Sequence, residues 1–193
     1  MTLFKTVLMI ASFVLVTACT GDGRIAPGNT KSVVNVAGLP SMRAASVNVL
    51  VPPSLVVSEA NSYAPAADIV WRGDPFGDRH AQVKAIFEEG IGRGAAMLDG
   101  DIPVRIDIQV ARFHALTDKT RYSFGGTHGI TFFLTIYNAQ TQEVMVPAHQ
   151  IKANLKALGG RNAVAAESIG QTQKARIIEH LSRVIFEKLN NDY

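Results

Sequence analysis

The chain has 193 residues, of which 47% are hydrophobic and 18% charged, and its formal net charge is +3 at pH 7. This length suffices for one domain with a substantial core. The small basic excess, without a cluster of Lys and Arg among aromatic residues, argues against a nucleic-acid surface. A single cysteine, Cys19, excludes an intramolecular disulfide and a multi-thiolate metal site.

The N-terminal region carries the clearest motif of the chain. Lys5 precedes an apolar run over residues 6–16, and small residues lead from it to Cys19. A basic start, an apolar middle and small residues before a cleavage point are the layout of a secretory signal peptide. The sequence Val-Thr-Ala-Cys at 16–19 resembles the lipobox of bacterial lipoproteins, Leu/Val-x-Ala-Cys.

The resemblance implies that the Cys19 thiol carries diacylglycerol, that residues 1–18 are removed and that the new N-terminus takes an acyl chain such as palmitate. Two or three acyl chains anchor a protein stably to a bilayer. Thr20 stands where an inner-membrane retention signal would have Asp, which favours the inner leaflet of the outer membrane, facing the periplasm. The alternatives are an uncleaved membrane span, for which the apolar run is short, and an ordinary signal peptide with an incidental cysteine.

Residues 19–44 are rich in turn-forming residues such as Gly, Pro, Asn and Ser. This composition predicts a flexible tether that follows the lipidated cysteine. The predicted domain boundaries are therefore 1–18 for the signal peptide, 19–44 for the tether and 45–193 for one periplasmic α/β domain.

The first predicted elements of the domain are two short strands and a long helix. Val47, Val49 and Val51 alternate with other residues before Pro52-Pro53, and 68–72 is a second short strand candidate. Apolar residues at helical spacing predict a helix over 78–98 with Asp78 as its N-cap.

The predicted helix contains a Gly-x-Gly-x-x-Ala sequence, in which Gly90, Gly92 and Ala95 are the fixed positions. A dinucleotide-binding loop needs such glycines directly after a strand. Here they lie inside the helical pattern, with Gly90 and Gly94 on its apolar face. The motif therefore predicts close packing of this helix on the sheet, or an early break in it.

Three strands and a helix complete the pattern. The strands are predicted over 104–116, 130–137 and 143–155, with Pro147 at an edge or bulge, and the helix over 164–189. The order is β(β)αβββα. It predicts an α+β two-layer sandwich, in which two helices cover one face of a mainly antiparallel sheet.

Two segments outside the regular elements contain candidate binding residues. The loop over 117–129 holds Arg121, Tyr122, Phe124 and His128 among flexible glycines, and loops on a rigid sheet often bind ligands. The alternative is a mobile hairpin tip without a ligand. The segment 71–79 offers Trp71 and Arg72 as a contact for a partner, or else forms a structured corner between strand and helix.

No catalytic or metal-binding motif is recognisable. The histidines at 114, 128 and 149 lack the H-x-x-x-H or H-x-H spacing of a zinc site. Ser123, Asp107 and either His128 or His149 would supply the residue types of a catalytic triad, but the G-x-S-x-G sequence around a hydrolase serine is absent. The sequence defines no pair of catalytic carboxylates either. We therefore expect no metal, no cofactor and no enzymatic activity.

The lipobox, the Trp-Arg-Gly-Asp-Pro corner at 71–75 and the Phe-Gly-Gly-Thr-His-Gly sequence at 124–129 resemble small alphaproteobacterial lipoproteins of unknown function. The element order is similar to that of auxiliary lipoproteins of envelope ABC transport systems. We expect a membrane-anchored, non-catalytic binding or scaffold component with an envelope protein as partner. The alternatives are a carrier of lipid or another apolar ligand, which needs a cleft between sheet and helices, and an envelope hydrolase.

Overall fold

The computed structural model describes residues 41–192, and Cys19 with most of the predicted tether lies outside them. The elements within this range are β1 (Met42–Leu50), β2 (Ile69–Val70), α1 (Arg79–Ala95), β3 (Ile102–His114), α2 (Asp118–Arg121), β4 (Gly126–Asn138), β5 (Val144–Lys152), β6 (Leu155–Ala157), α3 (Gly160–Ser168) and α4 (Gln173–Asn191).

The strands form one sheet in the order β1-β3-β4-β5, to which β2 adds at the end of β3 and β6 at the start of β4. The pairs β3–β4 and β4–β5 are antiparallel, whereas β1 and β2 run parallel to β3. A parallel pair needs a crossover, and α1 lies in the connection between β1 and β3. The predicted α+β class is confirmed.

The two faces of the sheet differ because side chains alternate along each strand. The inner face of β3 and β4 is formed by buried residues: Val104, Ile106, Ile108, Val110, Ile130, Phe132, Leu134 and Ile136. A bulge between Val110 and Arg112 corrects the register near the end of β3. The opposite face of these strands carries polar and aromatic residues.

Helices α1 and α4 supply the second layer of the sandwich. Both bury an apolar stripe in one continuous core with the inner face of the sheet. Three edge-to-face aromatic contacts organise the centre of this core, with ring centroids 5.6–6.0 Å apart: Trp71–Phe113, Phe87–Phe113 and Phe87–Phe132.

The structure differs from the sequence prediction at several boundaries. The predicted last helix is two helices, because Gly170 has a φ of +82° and Thr172 caps a new start by accepting a hydrogen bond from Ala175 N at 3.2 Å. β1 begins at Met42, three residues before the predicted start of the domain. The predicted loop 117–129 contains α2 and the first residues of β4.

Gly90 and Gly94 allow α1 to approach α4 closely. A Cβ atom at Gly90 would lie 2.8 Å from Leu181 Cβ and 3.0 Å from Ile178 O. A Cβ at Gly94 would overlap the Ser182 carbonyl and the Ile185 side chain. These glycines do pack closely, but the prediction that they pack on the sheet was wrong, because both face α4.

Gly94→Ala should destabilise the protein by about 1–3 kcal/mol, because the new methyl group has no space between two backbones. Gly92→Ala is the matched control on the same helix. A Cβ there meets nothing within 4 Å, so this change should be neutral or stabilise the protein by up to about 1 kcal/mol through helix propensity. Urea unfolding of both variants measures the difference, and equal stabilities would contradict this account of the helix pair.

Candidate functional site

The predicted binding loop lies at the end of the sheet where β3 ends and β4 begins. Thr117 caps α2 by accepting a hydrogen bond from Thr120 N at 3.3 Å. After this single turn, Gly125 N donates to Thr120 O at 3.0 Å, and the φ of +76° at Gly125 turns the chain into β4. The loop is therefore a compact capped turn with its own hydrogen bonds.

A neighbouring segment, residues 58–63, is fastened to this turn. Thr117 Oγ1 donates to Ser62 O at 2.7 Å and Thr120 Oγ1 donates to Tyr63 O at 2.8 Å. The two hydroxyls hold the backbone on either side of the Tyr63 nitrogen. Tyr63 consequently stacks on Phe124, with ring centroids 5.3 Å apart and an interplanar angle of 27°.

Tyr63, Tyr122 and Phe124 form a surface that we name the aromatic patch. Their exposed fractions are 52%, 52% and 73%, which is high for residues of this size. Lys119 Nζ lies 4.5 Å from the centroid of the Tyr63 ring, in the range of a cation–π contact. The patch thus combines flat apolar area with a phenol hydroxyl and a cation.

Arg121 supports the patch from beneath rather than forming part of its surface. Its side chain is 12% exposed and forms an ion pair with Glu167 of α3. Tyr122 Oη donates to the other oxygen of Glu167 at 3.3 Å. Both contacts tie the predicted loop to α3.

His128, the fourth predicted residue of the loop, is buried with an exposed fraction of 1%. Its Nδ1 accepts a hydrogen bond from Leu116 N at 3.4 Å, so the neutral ring carries its proton on Nε2. Burial, together with the charges of Arg176 and Arg121, lowers the pKa of His128 to about 3. His128 is therefore a neutral interior residue, and a partner at the surface would not reach it.

Beside His128 lies a small polar cavity of about 10 Å³, lined by Arg121, His128, Gln173 and Arg176 among others. Gln173 Oε1 is buried there without a hydrogen-bond partner within the protein. This volume admits a group of the size of one water molecule. The cavity is too small to bind a larger ligand.

The corner at 71–79 is a structured junction. Trp71 has an exposed fraction of 0%, and its Nε1 donates to Asp74 Oδ2 at 2.8 Å. The chain passes directly over the ring at Gly73, where a Cβ would overlap the indole. Trp71 therefore belongs to the core and offers no contact area to a partner, which corresponds to the alternative interpretation of this segment.

Arg72 joins this corner to the loop. Its Nε donates to Asp118 Oδ2 at 2.7 Å and its Nη1 donates to Glu59 O at 3.1 Å. Glu59 also accepts two hydrogen bonds from the buried Arg79, at 2.6 and 3.0 Å, and these lower the pKa of the Glu59 carboxyl. Hydrogen bonds thus join segments distant in sequence at this end of the domain.

The sequence prediction missed Tyr63, which completes the aromatic patch. The segment 58–63 has neither strand alternation nor helical periodicity. Its position depends on hydroxyls of Thr117 and Thr120, 55 and 57 residues away in the sequence. No local pattern predicts such a contact.

The candidate catalytic and metal-binding groups do not converge. Ser123 Oγ donates to backbone oxygens of Lys119 and Thr120, at 2.6 and 3.1 Å. Asp107 lies on the outer face of the sheet and His128 in the interior. Within residues 41–192, no three His, Cys, Asp or Glu side chains come together as ligands for a metal ion.

Among the helices of the described range, none combines the length and the hydropathy that crossing a bilayer requires.

A family model described as a family of unknown function, DUF6778, matches residues 42–193, and the chain therefore belongs to this family. No protein of curated function matches the sequence. The predicted resemblance to proteins of unknown function is confirmed at this level.

Solved structures similar to the chain include the following two. One is a "putative lipoprotein" from Caulobacter crescentus CB15, with 12% identity, a TM-score of 0.34 and coverage of 74% of this chain and 86% of that one. The other is protein XCC0632 from Xanthomonas campestris, of family DUF330, with 10% identity, a TM-score of 0.42 and coverage of 80% and 88%. At this distance, function has to be argued from the residues of this chain.

The lowered pKa of His128 predicts a pH dependence of stability. Between about pH 6.5 and pH 3 the unfolded chain binds a proton at this residue and the folded chain does not, so the free energy of unfolding falls as the pH falls. From pH 7 to pH 4 the wild type should lose about 1–3 kcal/mol more than His128→Gln. Urea unfolding between pH 7 and pH 4 measures the free energy of unfolding of both proteins. The two proteins share all other titrating groups, so the difference between their pH profiles reports on His128. Parallel profiles would contradict the buried neutral ring.

Proposed function

We propose that this chain, a member of the family of unknown function DUF6778, is a lipid-anchored component of the bacterial cell envelope that binds another envelope protein without catalysing a reaction. The lipobox sequence at 16–19 supports the anchor, with Cys19 as the acylated residue. The outer membrane, in its leaflet facing the periplasm, is the favoured location because Thr20 follows the cysteine.

The observation that carries the binding role is the exposed aromatic patch on a rigid base. Tyr and Phe side chains give a large contact area and lose little conformational entropy on binding. Tyr63 and Phe124 are already stacked, and Tyr122 is already held by Glu167. A partner would therefore meet a surface that needs little further ordering.

The position of the patch suits a partner away from the bilayer surface. Met42, where the tether joins the domain, pairs with Ile102 at the start of β3. The patch lies beyond the other end of this 13-residue strand, which at about 3.3 Å per residue is roughly 40 Å away. Entry of the tether and the patch are thus at opposite ends of the sheet.

The alternative of a lipid carrier needs a cleft between the sheet and the helices, and the packing there does not favour one. The side chains that fill this layer have exposed fractions of 0%, among them Phe87, Phe132 and Leu181. An acyl chain would have to displace this core. The surface interaction is therefore the better-supported function.

A triple variant, Tyr63→Ala with Tyr122→Ala and Phe124→Ala, tests the proposal. We expect at least a tenfold loss of the protein that co-purifies with the lipidated wild type after mild crosslinking in cells, because the contact area of the patch is removed. The variant should still melt cooperatively, since the three side chains are at the surface.

Met97→Ala with Val144→Ala is the matched control, because both residues are exposed by about half and neither lies in the aromatic patch. This pair should retain the partner. Retention of the same partner at the wild-type level by the triple variant would contradict the proposal.

A further inference from the structure

The face of the sheet opposite to α1 and α4 is uncovered by the described part of the chain. We name it the outer face. β1, β3, β4 and β5 all contribute to it, through residues that alternate with the buried ones: Arg43, Ser46, Asn48, Leu50, Arg105, Asp107, Gln109, Arg112, Thr131, Phe133, Thr135, Tyr137, Ala148, Gln150 and Lys152.

A groove of about 530 Å³ crosses this face from β1 to β5. Its apolar part consists of Leu50, Phe133, Tyr137 and Ala148, of which Leu50 is 53% and Phe133 36% exposed. Arg105 lies over the Tyr137 ring, with Cζ 4.1 Å from the centroid, and thereby walls one side. The groove therefore contains an exposed apolar strip, and the sheet face around this strip is polar.

The uncompensated charges around the strip have one sign. Asp107 is the acidic residue of the outer face, and it is paired with Arg105 at 3.2 Å. Arg43, Arg112 and Lys152 are exposed, and no ion pair among residues 41–192 includes them. The outer face therefore has an excess of three uncompensated positive charges.

Two of these charges stand in one row of the sheet. Arg112 and Lys152 both pair with Thr131, one from each neighbouring strand. Adjacent strands lie about 4.8 Å apart, so the two Cα atoms are separated by roughly 10 Å, with the Thr131 hydroxyl between them. Phe133 is two residues further along β4, about 7 Å from this row. An acidic group and an apolar group side by side on one ligand would match both features.

We propose that the outer face is a second docking surface, which binds an amphipathic, acidic segment of another protein. Its apolar side chains would cover Leu50 and Phe133, and its carboxylates would pair with Arg112 and Lys152. An acyl chain fits less well, because Asn48, Gln109 and Thr135 also line the groove. An acyl chain would desolvate these groups without offering hydrogen bonds in return, whereas a polypeptide offers them.

Two synthetic 18-residue peptides are the probes, with the same helical apolar face and either Glu or Lys at the polar positions. The protein is the chain from residue 20 onward without acyl chains, which contains the whole described fold. We expect the acidic peptide to bind in fluorescence anisotropy at low salt and at least tenfold more tightly than the basic one. Arg112→Glu with Lys152→Glu, and separately Phe133→Ser, should each weaken binding at least tenfold.

Lys84→Glu on the surface of α1 and the triple variant of the aromatic patch are the controls, and both should bind the acidic peptide like the wild type. This separates the result from the proposed function, which depends on the patch. Absence of binding, equal binding of both peptides, or full affinity of the charge-reversed variant would overturn the proposal. Binding to phosphatidylglycerol vesicles, but not to phosphatidylcholine vesicles or to the acidic peptide, would overturn it in favour of a membrane surface.

Discussion

Helices α1 and α4 can share one face of the sheet because glycine stands at their contact. Gly90 and Gly94 bring the α1 backbone against Leu181, Ser182 and Ile185 of α4. Larger residues would push the two helices apart and leave part of the inner face uncovered. With both helices on one side, the core is a single layer of side chains between them and the sheet.

The position of the two helices determines which surfaces of the domain remain exposed. Because both long helices lie on the inner face, the outer face stays open, with Phe133 and Leu50 exposed among unpaired basic residues. Because β3 spans the whole sheet, the start of β1 at Met42 and the aromatic patch fall at opposite ends. In the proposed function, such a domain would be attached at one end and would bind partners at the other end and along its open face.

The end that holds the aromatic patch combines apolar burial, as at Trp71 and Phe113, with several ion pairs. Arg72 pairs with Asp118, Arg79 with Glu59, and Arg121 with Glu167. Each pair joins segments that are distant in the sequence. Exposed pairs contribute little individually, but Arg72 and Arg79 both contact Glu59, so that these pairs are linked to one another. The backbone segments around the patch are therefore joined although its aromatic side chains are in contact with solvent.

The layers of the fold followed from periodicity in the sequence. Val104, Ile106 and Ile108 alternate, so the face of β3 was predictable, and so was the helical stripe around Gly90. The break at Gly170 was missed although the sequence marks it, since residues 170–174 contain no apolar residue and Thr172 is a typical N-cap. Burial of His128 was missed for another reason, and for Trp71 the sequence left a partner contact and a structured corner open. The faces they occupy are decided by contacts with Leu116 and Asp74, which a local pattern does not contain.

The candidate site also contains residues that a local sequence pattern predicts and residues that only long-range contacts bring together. Tyr122 and Phe124 stand out in a glycine-rich loop between two strong strands, and the structure places both at the surface. Tyr63 comes to them through hydrogen bonds from α2, and the basic row of Arg112 and Lys152 arises only when β3 and β5 flank β4. The exposure of Tyr122 and Phe124 was predictable from the loop sequence, whereas the residues that long-range hydrogen bonds or strand pairing bring together were not.

The most direct test of the central claim is the intact mass of the protein extracted from the membrane fraction. The account predicts a chain that begins at Cys19 and carries the added mass of diacylglycerol and an N-terminal acyl group. It also predicts that Cys19→Ser moves the protein out of this fraction. A chain that retains Met1 and has no acyl mass would contradict the membrane anchor, and with it the proposed place of this protein in the cell envelope.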